Sequence, residues 1–118
     1  MGDPTKPSNV IVVRTKNEYE IAVRGAKGAV ALELVQKDCG FCDDEIPKVE
    51  ALARGCADLT VIRADVEDLP ELAEVFDVEG TPTLLFAKSA ADLIPAKVKE
   101  LENATALRRR IKCAVPKK

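Results

Sequence analysis

The feature that most limits what this chain can fold into is the run Ala29-Val30-Ala31-Leu32-Glu33-Leu34-Val35, which is apolar throughout except for Glu33 and stops just short of Cys39. It is too short to cross a membrane as a helix. It lacks the polar alternation of a strand with one wet face and the three-to-four spacing of an amphipathic helix. A run of this kind suits a central strand covered on both faces, and such strands belong to parallel sheets flanked by helices.

The rest of the chain supplies the flanks. Val10 to Val13 is β-branched or apolar and reads as a strand. Thr15 and Glu18 form a capping pattern for a helix whose apolar face is Tyr19, Ala22, Val23 and Ala26, with Gly25 and Gly28 marking its stop. From Cys42 onward the period turns helical again, with Ile46, Val49, Leu52 and Ala53 on one face and Pro47 expected to kink the helix. Leu59 to Ala64 is a third strand, interrupted by Arg63. Asp68 and Glu71 are a second capping pattern, with Pro70 in the first turn and Leu69, Leu72, Ala73 and Phe76 as the buried face. Gly80-Thr81-Pro82 reads as a turn and Thr83 to Ala87 as a strand. A weaker strand is expected over Ile94 to Lys99, where Pro95 suits an edge. A last helix is expected from Asn103, using Ala104, Leu107, Ile111 and Ala114, with Arg108, Arg109, Arg110 and Lys112 near its negative end. The order is β-α-β-α-β-α-β-β-α. It implies an α/β domain with a mixed sheet, parallel through the first half and closed by an antiparallel hairpin.

The chain has 118 residues, so one domain is expected, over 10–114, with a flexible leader over 1–9 and a short tail over 115–118. A net charge of −2 leaves no electrostatic footprint for nucleic acid or an anionic membrane. No run approaches a membrane span, and the polar, proline-rich start lacks the apolar stretch of a secretory signal, which points to a cytoplasmic protein. Histidine is absent, which removes serine–histidine and cysteine–histidine catalysis and most mixed-ligand zinc sites.

Four cysteines remain, Cys39, Cys42, Cys56 and Cys113. In a reducing compartment they do not form a disulfide framework. Cys39-Gly40-Phe41-Cys42, however, stands at a strand-to-helix junction. There the free amides and dipole of the helix start stabilise a thiolate on the first cysteine. The second lies one turn inside, shielded and able to resolve a mixed disulfide. Gly40 leaves room for a partner chain, and Phe41 gives an apolar surface beside the nucleophile. Zinc binding would need two more ligands, and Cys56 and Cys113 are isolated in sequence. A structural disulfide or two inert thiols is the other bland reading. Cys56 and Cys113 read as filler on apolar faces, with a regulatory disulfide between them the alternative.

At this point the sequence resembles the thioredoxin family, from about Val10 to Cys113. The redox motif follows the central strand, Pro47 stands five residues beyond Cys42, and Val75-Phe76-Asp77-Val78-Glu79-Gly80-Thr81-Pro82-Thr83-Leu84-Leu85-Phe86 looks like the family's signature stretch. The resemblance implies a thioredoxin fold with a cis bond before Pro82 and a Thr81 backbone that pairs with an extended substrate. It places Glu33 where the family has a buried aspartate relaying a proton to or from the second cysteine. A carboxyl in so apolar a strand should hold its proton more tightly than usual. Arg63 aligns with the lysine beside that acid. The competing reading is a purely structural Glu33–Arg63 pair, or two side chains reaching solvent. Two departures stand out: Asp38 replaces the family's tryptophan, and Phe41 replaces its proline. Asp38, Asp43, Asp44 and Glu45 cluster around Cys39, and their charges oppose a thiolate and favour the disulfide form, so the couple should be reducing.

The expected function is thus a thiol–disulfide oxidoreductase acting as a disulfide reductase, in which Cys39 attacks, Cys42 resolves and Glu33 assists proton transfer, with Arg63 as active-site support and Thr81 and Pro82 shaping the docking groove. The alternative is a thioredoxin-fold binding module with little or no redox turnover. No metal or organic cofactor is expected, only the Cys39–Cys42 redox pair. Expected partners are disulfide-bearing proteins and a separate electron donor of the thioredoxin-reductase type, with the chain a monomer.

Overall fold

A computed structural model describes residues 7–87 and, as backbone, 113–114. Strand β1 is Val10–Val13, helix α1 Lys16–Gly25, β2 Val30–Val35, α2 Gly40–Gly55, β3 Thr60–Asp65, α3 Pro70–Val75, β4 Gly80–Thr81, β5 Thr83–Ala87 and β6 Cys113–Ala114. The main sheet has the order β1-β3-β2-β5. Its first three strands are parallel, and β5 runs antiparallel to β2. This is the mixed sheet flanked by helices expected from the sequence.

Every residue of β2 is buried, as a doubly covered strand requires. Its side chains alternate between two cores. Val30, Leu32 and Leu34 pack with Tyr19, Ile62, Leu72 and Phe76 beneath α1 and α3. Ala31 packs with Val49, Ala53, Val61 and Leu84 beneath α2. Glu33 is two residues from both Ala31 and Val35 and therefore shares the α2 face.

Several local readings are corrected. The Glu18 amide donates to Thr15 Oγ1, as a cap should, but Glu18 Oε1 accepts from the Arg14 amide one residue further back. Helix α2 starts at Gly40, and its buried positions are Cys42, Glu45, Val49 and Ala53. Leu52 is 38% exposed, because the face directed at the sheet passes through Glu45 and leaves position 52 at its rim. The helix continues past Pro47 to Gly55. At α3 the expected Asp68 cap does not form. The N-cap is Leu69, with no side-chain bond, and Pro70 at the first turn has no amide to satisfy. The carboxylate that works here is Asp65, which accepts from the Glu67 amide in the preceding turn.

Gly80 and Thr81 are a short strand rather than a turn, paired antiparallel with Cys113 and Ala114. Ala114 is therefore extended, not part of the last helix. The rest of that expected helix and the strand over Ile94 to Lys99 lie outside the described residues. Asn9, assigned to the leader, belongs to the fold. Its side-chain amide donates to the carbonyls of Ala53, Cys56 and Leu59, and its own carbonyl accepts from Val61. Among the described residues no helix is long and apolar enough to cross a membrane.

Candidate active site

The site begins where β2 ends. Asp38 takes a positive φ of 57°, a conformation that aspartate tolerates better than most residues. The turn delivers Cys39 as the N-cap of α2, in extended conformation. Cys39 Sγ accepts from the Cys42 amide at 3.2 Å, so the sulfur occupies the place of a capping hydroxyl. The amides and positive pole of a 16-residue helix thus act on this sulfur.

Cys42 lies one turn inside and is 1% exposed, packed with Val35 and Ile46. Burial pushes its thiol up to about 12, helped by the hydrogen bond with Cys39, while contacts from Gln36 and Thr81 oppose the shift. Both residues are thiols in this structure. Cys39 itself is 3% exposed, more enclosed than a helix-start position suggests.

Across from Cys39 stands Thr81. Its hydroxyl donates to Cys39 Sγ at 3.7 Å, and the Cys39 thiol donates to the Thr81 carbonyl at 3.9 Å. The Thr81–Pro82 peptide bond is cis. Thr83 Oγ1 donates to the Gly80 carbonyl at 2.6 Å and ties the segment together. At the helix start Phe41 is 46% exposed. A Cβ added at Gly40 would meet no atom of the described residues within 4 Å. Asp38, Asp43 and Asp44 are exposed around the motif. Glu45, grouped with them from the sequence, is buried instead, and its charge acts on Glu33.

Glu33 and Arg63 are adjacent across the β2–β3 ladder, and both are buried, so neither reaches out to solvent. Arg63 Nε donates to Glu33 Oε1 at 2.6 Å, and Nη1 donates to Glu50 Oε2 on α2 at 2.9 Å. Burial raises the pKa of Glu33 above its ordinary value. The Arg63 charge and hydrogen bond pull it down, and Glu50 and Glu45 push it up again. Among the described residues, Glu33 Oε2 and Arg63 Nη2 have no hydrogen-bond partner. Glu50 was not singled out from the sequence. It is one acid among many on a charged helix, and only the packing of α2 on the sheet brings it to Arg63. No group of three or more metal-ligating side chains occurs among the described residues.

The structure therefore brings Cys39, Cys42, Thr81 and Pro82 together at one end of α2, and places Glu33 and Arg63 along the helix's inner face.

Known proteins resemble the chain over most of its length. The thioredoxin family model matches residues 10–113. A thioredoxin H-type of Oryza sativa subsp. indica is 30% identical over 100 residues, covering 80% of this chain and 82% of its own. Thioredoxin-2 of Saccharomyces cerevisiae is 25% identical over 97 residues, covering 77% and 93%. Among solved structures, the thioredoxin of Nicotiana alata superimposes with a TM-score of 0.69 at 20% identity, covering 93% of this chain and 87% of that one. The thioredoxin of Fasciola hepatica gives 0.61 at 30% identity, covering 68% and 78%. The motif at the start of α2, the strand order that carries it and a match spanning nearly the whole chain make this protein a member of the thioredoxin family.

Proposed function

We propose that this thiol–disulfide oxidoreductase works as a reductase of protein disulfides, with Cys39 as nucleophile and Cys42 as resolving thiol. The observation that carries the assignment is Cys39 Sγ at the N-cap of α2, accepting the Cys42 amide and facing Thr81. The sulfur that sits on the helix pole is the one that forms the more stable thiolate. It attacks one sulfur of the substrate disulfide and expels the other as a thiolate, giving a mixed disulfide. Cys42 gives up its proton and attacks Cys39 Sγ. The Cys39–Cys42 disulfide forms, and the second substrate thiolate leaves.

Cys42 holds its proton up to about 12, so the second step needs a proton acceptor. Glu33 is the buried carboxyl on the same face of the sheet, with one oxygen unpartnered, and it is assigned that role. Arg63 positions it through Oε1. Substrates are assigned to the edge formed by Thr81 and Pro82, with Phe41 as apolar contact and Gly40 leaving clearance. The three exposed acids favour the disulfide form of the couple and so make it reducing. The electron donor is a separate reductase, the chain acts as a monomer, and its compartment is a reducing one such as the cytoplasm. The second reading, a docking module without turnover, has no observation of its own in its favour.

Turnover of a peptide disulfide by the wild-type chain and by Cys39→Ser tests the assignment. Turnover lost in Cys39→Ser supports it, and equal rates refute it. A titrated reduction potential near roughly −270 mV supports the direction, and one near about −120 mV refutes it.

A further inference from the structure

Among the described residues, strand β4 joins no strand of the main sheet. Its partner is β6, antiparallel, with Gly80 opposite Ala114 and Thr81 opposite Cys113. Thr81 is also the residue whose carbonyl and hydroxyl meet Cys39 Sγ. The chain's own C-terminal segment thus lies along the edge beside the nucleophile and puts a cysteine at the register position next to it. Cys39 is itself 3% exposed, so little of it is open beside that edge.

Cys56 does not share this neighbourhood. It is the C-cap of α2, and Cys39 is the N-cap. A helix of 16 residues holds its ends about 24 Å apart. A disulfide needs Cα atoms within about 7 Å. The topology therefore associates Cys113 with the Cys39 end of the helix and separates it from Cys56.

We propose that the Cys113–Ala114 segment is an internal occupant of the substrate edge, and that Cys113 exchanges into the redox centre to give a Cys39–Cys113 disulfide. The proposal rests on the reading of the β4 edge as the docking edge. In the exchange the Cys113 thiolate attacks Cys39 Sγ of the Cys39–Cys42 disulfide. The Cys39–Cys113 bond forms, the Cys39–Cys42 bond breaks, and Cys42 leaves as a thiolate that takes a proton. The number of disulfides does not change, so no further oxidant is needed. A thiol held on the same chain competes at an effective concentration of about millimolar, which favours it over dilute external thiols. A protein substrate must displace the segment before it reaches Cys39.

The test is the full-length chain carrying Cys42→Ser, with Cys42→Ala as a second variant, treated with 2-hydroxyethyl disulfide in a buffer holding free 2-mercaptoethanol at about 0.1 mM, well below the millimolar effective concentration of an internal thiol. Cys39 first takes half of the reagent as an adduct. If Cys113 is at the edge, it displaces the reagent thiol. Mass mapping after alkylation then shows Cys39 linked to Cys113 in excess of the adduct by about tenfold, the ratio of effective to free thiol concentration. An adduct that persists on Cys39, a link to Cys56, or a link between two chains overturns the proposal. Parallel turnover of a peptide disulfide by the wild-type chain keeps the two readings apart. Cys39-dependent turnover with a persistent adduct removes only the internal occupant. A Cys39–Cys113 link without turnover removes only the reductase.

Discussion

Helix α2 ends on a cysteine at both termini, and the two ends behave as opposites. At the N-cap, Cys39 is buried, its sulfur accepts an amide, and the positive pole of the helix acts on it. At the C-cap, Cys56 is exposed, and its backbone carbonyl accepts from the Asn9 side chain, next to the negative pole. One end is capped by the reactive group itself. The other is capped by a neutral amide borrowed from the residue before β1. The residue type is the same, so position on the helix, not identity, assigns the chemistry. Between the ends, Glu33, Arg63 and Glu50 join the helix to the centre of the sheet.

The largest expected effect would sharpen this contrast. Cys39→Ser should lower disulfide turnover by roughly a thousandfold or more, as loss of a nucleophile does. Cys56→Ser should leave turnover within about twofold, since substitutions at exposed positions have small effects. Comparable losses in steady-state assays of the two variants would break the contrast.

Next comes the link between the ends. Arg63→Met removes the partner of two carboxylates and should cost about 3–5 kcal/mol in denaturant unfolding, because it strands a buried charge. Glu33→Leu combined with Arg63→Met should recover most of that loss. Glu50 is then left at the partly open rim of the helix, where water can take over its solvation.

The C-terminal cap comes third. Asn9→Ala removes two N–H donors shared among three carbonyls and should cost about 2 kcal/mol by the same measurement, at roughly 1 kcal/mol for each donor. Turnover at saturating substrate should be unchanged below the melting range. A drop in turnover would show that the two ends of α2 are coupled.

The smallest effect is in pH dependence. Glu33 holds its proton above its ordinary value of 4.5, so between that value and its raised folded value the folded chain binds more protons than the unfolded one. Stability therefore falls as pH rises through that window. Glu33→Gln should flatten the fall in unfolding curves collected across it. An unchanged slope would assign the dependence to another group.

Much of this was legible before any coordinates. Strand β2 is an apolar run that only a doubly covered position accommodates. The faces of α1 and α3 follow from the spacing of Tyr19, Ala22 and Val23 and of Leu69, Leu72, Ala73 and Phe76, each set meeting β2 on one side. The redox pair follows from two cysteines three positions apart at a strand-to-helix junction. Local errors arose where chain neighbours did not decide the outcome. Leu52 and Glu45 exchange exposure because the face of α2 laid on the sheet runs through Cys42, Glu45, Val49 and Ala53, which hydrophobicity alone does not set. Asp68 loses its capping role because the Asp65 carboxylate and Leu69 shape the turn before α3.

The sequence by itself determined the periodicities, hence the elements and most of their order, and the local chemistry of Cys39 and Cys42. Both depend on residues within a few positions of one another. The tertiary structure alone decided which distant groups meet. Glu50 and Arg63 are brought together when α2 packs on β3, Asn9 meets the end of α2 across the sheet edge, and Cys113 faces Thr81 through strand pairing. Such contacts are set by the packing of whole elements, which no short stretch of sequence encodes.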